Sequence, residues 1–235
     1  MNIVITGASK GLGKAIAETF AKDEQVHNFF LCARNAAELE ATGKDLQARF
    51  PQNKIHTKTC DVSDKTALQQ FVEWINGHVA KVDILVNNAG VYLPGSAYGE
   101  DDGMLEKLME VNLYSAYHIT RMILPGMITS ESGHIFNICS IASIMAYPNG
   151  GAYSISKFAL YGFSKNLREE MKPYGIKVTH VLPGAAYTDS WSGSGIDPKR
   201  IMEAADVAQM VYAAAKLSHQ ACVEEIILRP QLGDL

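Results

Sequence analysis

Hydrophobic and polar positions along the chain alternate between two patterns. Short, nearly continuous runs of β-favouring apolar residues are separated by longer stretches with an apolar residue every three or four positions. The short runs fall at Asn2–Thr6, His27–Ala33, Lys54–Cys60, Val82–Asn87, His134–Ser140, Lys177–Leu182 and Glu225–Leu228. The helical patterns fall at Leu12–Lys22, Ala36–Phe50, Lys65–Val79, Met104–Thr129, Ala152–Tyr174 and Ala205–Ser218. A contiguous run such as Ile3-Val4-Ile5 suits a strand buried on both faces, as parallel sheets require. Seven strands alternating with helices therefore predict an α/β fold, a doubly wound seven-stranded parallel Rossmann sheet with helices on both faces.

Local start signals agree. Asp64 precedes the third helix as a cap, and the acidic Glu100-Asp101-Asp102 cluster suits the positive end of the fourth. No linker or repeat divides the chain, so residues 1–235 read as one domain. One segment is rich in breakers: Pro183 to Pro198, with Gly184, Ser190, Ser192, Gly193, Ser194 and Gly195. It follows the sixth strand, and ligands of open sheets sit beyond the carboxyl ends of strands. Residues from about 184 to 200 are thus expected to form a flexible substrate-side loop.

Composition narrows the function classes. A chain of 235 residues with 47% hydrophobic residues fills a single α/β core. A net charge of -4 gives no electrostatic drive towards nucleic acid or an anionic membrane. No apolar run approaches the roughly 20 residues of a membrane span, and the N-terminus runs directly into the first strand. The expected location is cytoplasmic. Cys32, Cys60, Cys139 and Cys222 form no Cys-x-x-Cys pair, and the histidines lack ligand spacing, so no metal is expected. Cys139 adjoins Ser140, but a buried strand position accounts for it without a reactive thiol.

Two segments carry candidate chemistry. Thr6-Gly7-Ala8-Ser9-Lys10-Gly11-Leu12-Gly13 follows the first strand and opens the first helix. Glycines there permit a tight turn and close backbone approach to a pyrophosphate, whose charge the helix N-terminus favours. The second segment holds Ser140, then Tyr153, then Lys157 one helical turn later. A phenol of ordinary pKa near 10 is a poor base at neutral pH, and a nearby ammonium favours its ionised form. Tyr153 can then exchange a proton with a substrate oxygen that Ser140 holds. Singly, a Tyr-x-x-x-Lys pair is an ordinary exposed helix pair; together with the glycine turn it describes hydride exchange with a carbonyl or alcohol.

The spacing Thr-Gly-x-x-x-Gly-x-Gly resembles the short-chain dehydrogenase/reductase family, and further motifs agree over essentially the whole chain. Asn87-Asn88-Ala89-Gly90 looks like the family's sheet-stabilising motif, which packs near the adenosine. Asp61-Val62 looks like its adenine contact, and Pro183-Gly184 with Thr188 like the turn that lines the nicotinamide. Asn112, Ser140, Tyr153 and Lys157 fall in the order of its catalytic tetrad. The resemblance implies that Lys157 also contacts the nicotinamide ribose and that Asn112 anchors a water joining Lys157 to solvent. It implies cofactor contacts from Gly7, Ser9, Lys10, Gly11, Leu12, Gly13, Asn88, Ala89 and Gly90, and from Tyr153 and Lys157.

Which dinucleotide is held depends on the end of the second strand, Leu31-Cys32-Ala33-Arg34-Asn35. No acid stands there to accept a ribose hydroxyl. Arg34 and Lys10 instead offer two cations suited to a 2'-phosphate, which points to NADP(H). Ile141, Ala142, Ile144, Met145, Tyr147, Ala185, Ala186, Tyr187 and Trp191 suggest a largely apolar substrate pocket. No Arg or Lys lies between residues 140 and 152, so a small neutral carbonyl or alcohol is the expected substrate. The chain is most similar to small NADPH-dependent carbonyl reductases, including the sepiapterin-reductase-like branch. Two alternatives stay open: an alcohol or 3-hydroxy acid dehydrogenase working oxidatively, and a non-catalytic NADP(H)-sensing protein. Family members form dimers or tetramers through two long helices. Leu105, Leu108, Met109, Tyr117, Phe158, Leu160, Phe163 and Leu167 supply apolar positions on those helices here, so a homodimer or homotetramer is expected.

Overall fold

Parity within the apolar runs decides how the core divides. In the first strand, β1 (Asn2–Thr6), Ile3 and Ile5 face one helical layer while Val4 faces the other, and all three are fully buried. The same split recurs in β2 (Asn28–Ala33), where Phe29 and Leu31 join one core and Phe30 and Cys32 the other. Burial on both faces is the reason these strands read as continuous hydrophobic runs. The computed structural model describes residues 1–188, 191 and 195–234.

The remaining strands are β3 (Lys54–Thr59), β4 (Ile84–Asn87), β5 (Gly133–Ile138), β6 (Ile176–Pro183), two short strands β7 (Ala186–Tyr187) and β8 (Met202–Glu203), and β9 (Glu225–Leu228). The main sheet has the order β3-β2-β1-β4-β5-β6-β9, with every pairing parallel. The order reverses between β1 and β4, and a crevice opens there beyond the strand ends. Helices α1 (Gly11–Ala21), α2 (Ala36–Arg49) and α7 (Ala204–Ala215) cover one face. Helices α3 (Lys65–Asn76), α5 (Ser115–Thr129) and α6 (Gly151–Met171) cover the other. The predicted α/β sheet and its seven strands are thus present.

Three features depart from the sequence pattern. The single helix expected over Met104–Thr129 is α4 (Met104–Met109), then a π-helical turn Glu110–Tyr114, then α5. The acidic cluster does not cap α4, whose first residue follows Gly103 with no side-chain cap. Instead both carboxylate oxygens of Glu100 accept from the Ala152 N–H at 3.0 Å, so this acid caps α6 from 52 residues away. Third, β7 and β8 form a separate parallel pair that two-residue runs could not announce. Asp64 does cap α3, accepting from Thr66 and Ala67 N–H at 2.8 and 3.3 Å. The loop expected from about 184 to 200 falls partly on Asp189, Ser190, Ser192, Gly193 and Ser194, which lie outside the described residues.

Candidate active site

The glycine turn is shaped by contacts that exclude side chains. Gly7 and Gly11 take φ of +66° and +56°, in the left-handed region that glycine alone enters freely. A Cβ on Gly7 would lie 2.9 Å from the Cα of Ala89, so the turn and the β4 end touch backbone to backbone. Gly13 faces inward: its Cβ would meet the Gly7 carbonyl oxygen at 2.5 Å. Asn88 locks the corner, with Nδ2 donating to the carbonyl oxygens of Thr6 and Gly7 at 2.8 and 3.0 Å. The Thr6 hydroxyl accepts from Asn88 and Ala89 N–H at 3.1 and 3.0 Å. Lys10, the residue before α1, adds no side-chain cap, and Gly11 and Leu12 at the helix start line the cavity. Backbone donors at a helix start, flanked by glycines, form a cradle chemically suited to a pyrophosphate.

One cavity of about 1110 Å³ runs from this turn to the catalytic segment. Gly7, Ser9, Lys10, Gly11 and Leu12 line it at one end, with Arg34, Asn35, Asp61 and Val62 beyond them. Asn88, Ala89 and Gly90 form its middle, and Ser140, Tyr153, Lys157, Pro183, Gly184 and Thr188 its far end. Of the cofactor residues read from the sequence, Gly13 stands apart because it packs behind the turn. Asn35 uses its side-chain oxygen to cap α2, accepting from Ala37 and Glu38 N–H.

Two cations were expected at the Arg34 corner, and a carboxylate accompanies them. Glu38 lines the same cavity and pairs with Lys10 at 3.6 Å, both side chains about half exposed. The Arg34 guanidinium lies near enough to help lower the pKa of Asp61. Burial raises that pKa, while Ser63 hydrogen bonds and Arg34 outweigh it.

The catalytic segment assembles through backbone capping. Ser140 ends the run of β5, and its Oγ accepts from Ala142 N–H at 3.1 Å while Ser143 Oγ accepts from Ser140 N–H at 3.2 Å. The resulting short turn is tied to α6 by Ser154 Oγ, which donates to the Ala142 carbonyl at 2.9 Å. The Ser140 hydroxyl lies near enough to the Tyr153 phenol to act on its pKa. Lys157 is buried, donates to the Ile138 carbonyl at 2.9 Å and sits 5.9 Å from the Tyr153 ring centre.

Electrostatics here differ from the sequence expectation. Burial raises the Tyr153 phenol above its ordinary value near 10, and the Ser140 hydroxyl acts in the opposite direction. Burial likewise lowers Lys157. The expected lowering of the phenol by the ammonium is not what the geometry produces. Dehydration of both groups dominates, and the ammonium is directed at a carbonyl rather than at the phenolic oxygen. Cys139, 2% exposed, is pushed up to about 12 by burial and behaves as a core hydrophobe.

Asn112 sits in the π-helical turn and does not line the cavity. Its oxygen accepts from Val91 N–H at 2.8 Å, and its Nδ2 donates to the Val91 carbonyl and Ser156 Oγ at 3.1 and 2.9 Å. Both amide protons are thereby used. A Cβ on Gly90 would lie 3.2 Å from Asn112 Oδ1 and 3.5 Å from Lys157 Nζ, so this brace holds the β4 loop beside the lysine. Asn87, in the same motif, donates through Nδ2 to Thr120 Oγ1 on α5 and to Asn137 Oδ1 on β5, at 2.9 and 2.7 Å.

At the substrate end, Ile141, Ala142, Met145, Tyr147, Ala185, Ala186 and Trp191 line the cavity as expected. Ile144 and Tyr187 do not; they are 38% and 40% exposed, and Tyr187 belongs to β7. Tyr92 was missed, and its ring meets Tyr153 edge-on with centres 4.8 Å apart. Arg229 and Asp234 were also missed. They form an ion pair, and a Cβ on Gly184 would lie 3.0 Å from Asp234 Oδ1. Arg200 fastens that tail, donating to the Gly233 and Asp234 carbonyls at 3.0 and 3.1 Å. The cavity therefore does contain an arginine, contrary to the reading of residues 140–152 alone. Its signal was position: Arg229 immediately follows β9, as Arg34 follows β2 and Ser140 follows β5.

Among the described residues, no cluster of three or more His, Cys, Asp or Glu could hold a metal ion, and no helix is long and apolar enough to cross a membrane.

Known proteins are similar to this chain in sequence and fold. The profile of the short chain dehydrogenase family matches residues 1–198. The sepiapterin reductase of Chlorobaculum tepidum is 34% identical over 239 residues, covering 99% of this chain and 97% of its own. An uncharacterized oxidoreductase of Staphylococcus saprophyticus is 33% identical, with 97% and 96% covered. Among solved structures, the alcohol dehydrogenase of the archaeon Thermococcus sibiricus, complexed with 5-hydroxy-NADP, superposes with a TM-score of 0.89 at 26% identity over 98% of this chain and 96% of that one. A metagenomic short-chain oxidoreductase in complex with NADP gives 0.84 at 30% identity, with 98% and 97% covered. On the family match and the full-length relatives, this chain is a member of the short-chain dehydrogenase/reductase family of oxidoreductases.

Proposed function

We propose that the chain is an NADP(H)-dependent reductase of small carbonyl compounds, with Tyr153 as general acid and base. The observation that carries this reading is the convergence of the glycine cradle, Ser140, Tyr153 and Lys157 on one cavity. NADP bound to one solved relative and 5-hydroxy-NADP bound to another support the choice of dinucleotide, as does the Arg34 and Lys10 corner. The pyrophosphate would rest on the N–H groups at the start of α1, the 2'-phosphate at Arg34 and Lys10, and the nicotinamide end near Pro183, Gly184 and Thr188.

Held by the glycine turn at one end and by Pro183, Gly184 and Thr188 at the other, a bound dinucleotide would supply the hydride chemistry. Ser140 orients the carbonyl oxygen by hydrogen bonding, and Tyr153 delivers the proton that this oxygen requires. A phenol whose pKa burial raises is fully protonated at neutral pH, the form a reductase needs before the step. Lys157 holds the floor beneath Tyr153, with its ammonium fixed on Ile138. We assign Asn112 the bracing of Gly90 and Val91 beside that lysine.

The apolar wall with Tyr92, Tyr147 and Trp191 favours a flat, neutral substrate, and the mutually neutralised Arg229–Asp234 pair gives it one polar side. Small ketones, diketones and pterins fit that description. We also infer a homo-oligomer built on exposed apolar residues of α4, α5 and α6: Leu105, Tyr117 and Phe158 are 40%, 36% and 44% exposed.

The test is a screen of NADPH consumption over small aldehydes, ketones, diketones and pterins. Turnover of at least one class, lost in Tyr153→Phe with NADPH binding retained, is the expected result. Tight NADPH binding without turnover of any class would favour a sensing protein instead.

A further inference from the structure

Tyr153 stands in the first turn of its own helix, where a helix is least able to fix a side chain. It is the third residue of α6, directly after Gly151 and Ala152, and Gly150 before them provides no side-chain cap. The Ser154 N–H donates to the Gly150 carbonyl at 2.8 Å, and the N–H groups that precede it must be met from outside the helix. Two glycines add backbone freedom at this point. The approach is also twisted, with Asn149 and Gly151 at φ of +62° and +34°. Such a turn does not hold a phenol in one place unaided.

Glu100 supplies the missing hold. Both of its carboxylate oxygens accept from Ala152 N–H, one residue before Tyr153, at 3.0 Å. The carboxylate fits between two glycines. A Cβ on Gly95 would lie 2.5 Å from Glu100 Cγ and Oε1, and one on Gly151 would strike Oε1 and the Gly95 carbonyl oxygen. Gly95 N–H donates to the Asn149 carbonyl at 3.1 Å, a second tie between the same two segments. Within its own loop, Glu100 N–H donates to the Ser96 carbonyl at 3.0 Å. That loop starts at Val91, which Asn112 braces, and carries Tyr92, whose ring meets Tyr153 edge-on with centres 4.8 Å apart. Loop and helix start therefore close on each other around the Tyr153 ring, and the carboxylate is their joint.

We propose that Glu100 is a positioning residue: by fixing the first turn of α6 it sets where the Tyr153 hydroxyl stands relative to Ser140 and keeps Tyr92 against the ring. Glu100 does not line the cavity, so it acts through the backbone of Ala152 and not on the substrate. Proton transfer needs donor and acceptor within about 2.6–3.2 Å, and a misplacement of about 1 Å costs up to about 100-fold in rate. The glycine cradle rests on β1, β2 and β4 and does not depend on this joint. The effect on turnover rests on the reading of Tyr153 as the acid above; the joint itself does not.

The experiment sets Glu100→Ala, Glu100→Gln and Glu100→Asp beside the parent chain. Its readouts are steady-state reduction of a carbonyl found in the substrate screen, NADPH titration by fluorescence, thermal midpoint, and amide exchange over residues 150–156. In Glu100→Ala, kcat falls about tenfold or more with NADPH affinity unchanged, and the Ala152 amide exchanges faster. Glu100→Gln keeps an oxygen at the same reach and recovers most of kcat. Glu100→Asp keeps the charge but stops one methylene short, and does not recover it. Should Glu100→Ala fail to fold, the contrast between Gln and Asp decides. Parental kcat in Glu100→Ala, or a loss shared equally by kcat and NADPH affinity, would overturn the proposal. Recovery in Glu100→Asp but not Glu100→Gln would also overturn it, by assigning the effect to charge at the helix end. A parent chain that reduces no carbonyl sinks the reductase reading instead. The joint is then judged by exchange, and unchanged protection of the Ala152 amide in Glu100→Ala refutes it.

Discussion

The two ends of the cavity are built by different means. The dinucleotide end, around β1, β2 and β4, is shaped by backbone: glycines at positive φ, a helix start, and Asn88 clamping carbonyls. The substrate end, beyond β5, β6 and β9, is shaped by side chains drawn from distant segments, among them Tyr92, Trp191, Arg229 and Asp234. A backbone-built site tolerates little variation, because a single Cβ closes it. A side-chain-built site can be refashioned residue by residue while the sheet stays the same. This is the division of labour expected where one coenzyme serves many substrates.

Two substitutions test that contrast most severely. Tyr153→Phe keeps the ring and its edge contact with Tyr92 but removes the proton, so turnover should fall about 10²–10⁴-fold with NADPH affinity unchanged. Steady-state NADPH oxidation set beside fluorescence titration separates the two effects; substantial residual turnover would move the acid elsewhere. Gly13→Ala acts at the opposite end and in the opposite manner. Its Cβ would meet the Gly7 oxygen at 2.5 Å, a backbone clash that neither partner relieves cheaply. A destabilisation of about 1–3 kcal/mol is expected, with NADPH binding reduced together with the thermal midpoint. A variant with unchanged midpoint and affinity would show that the turn is looser than its contacts imply.

The same contrast explains what the sequence revealed. Glycine spacing, strand periodicity and the Tyr153–Lys157 helical step are local, so the cradle and catalytic pair were legible along with the parallel sheet. Arg229 and Asp234 were not: the one signal, the place of Arg229 just after a strand, marks a site only once the topology brings the β9 end beside Gly184. Glu100 misled for a related reason. Its acidic neighbourhood suggested a cap for the next helix, whereas the folded chain carries it to Ala152. The π-helical turn at Asn112 has no sequence period of its own, and the direction of the Tyr153 shift required knowing how dry the site is.

That shift has a measurable sign. The phenol pKa is raised by burial, so the proton is present throughout the neutral range and lost only above the ordinary value near 10. Carbonyl reduction should therefore hold its kcat through moderately alkaline pH. Alcohol oxidation, which needs the ionised form, should climb with pH over the same interval. A reductive limb already falling about tenfold per pH unit between pH 7 and 9 would mean that Lys157 controls the phenol after all.

Arg34→Ala should be milder, since it weakens binding without touching the chemistry. Loss of a planar cation beside a phosphate is worth about 1.5–3 kcal/mol, hence a rise of about 10–100-fold in KM for NADPH and little change for NADH. Equal changes for both coenzymes would take the 2'-phosphate away from this corner.

The smallest expected effect sharpens the same point from the other side. Glu38 lines the cavity, pairs with Lys10 at 3.6 Å and lies in the first turn of α2. Its charge favours the positive helix end by about 0.3–1 kcal/mol, yet it opposes any phosphate that Lys10 and Arg34 attract. With both side chains about half exposed, the ion pair itself is worth no more than about 1 kcal/mol. Glu38→Gln should therefore lower the KM for NADPH about two- to fivefold and leave NADH unaffected, while the thermal midpoint drops slightly. The gain should shrink as salt is added, because the repulsion removed acts across solvent. An NADPH affinity that worsens in Glu38→Gln would show that the carboxylate holds Lys10 in its binding position, making it a partner of the phosphate site.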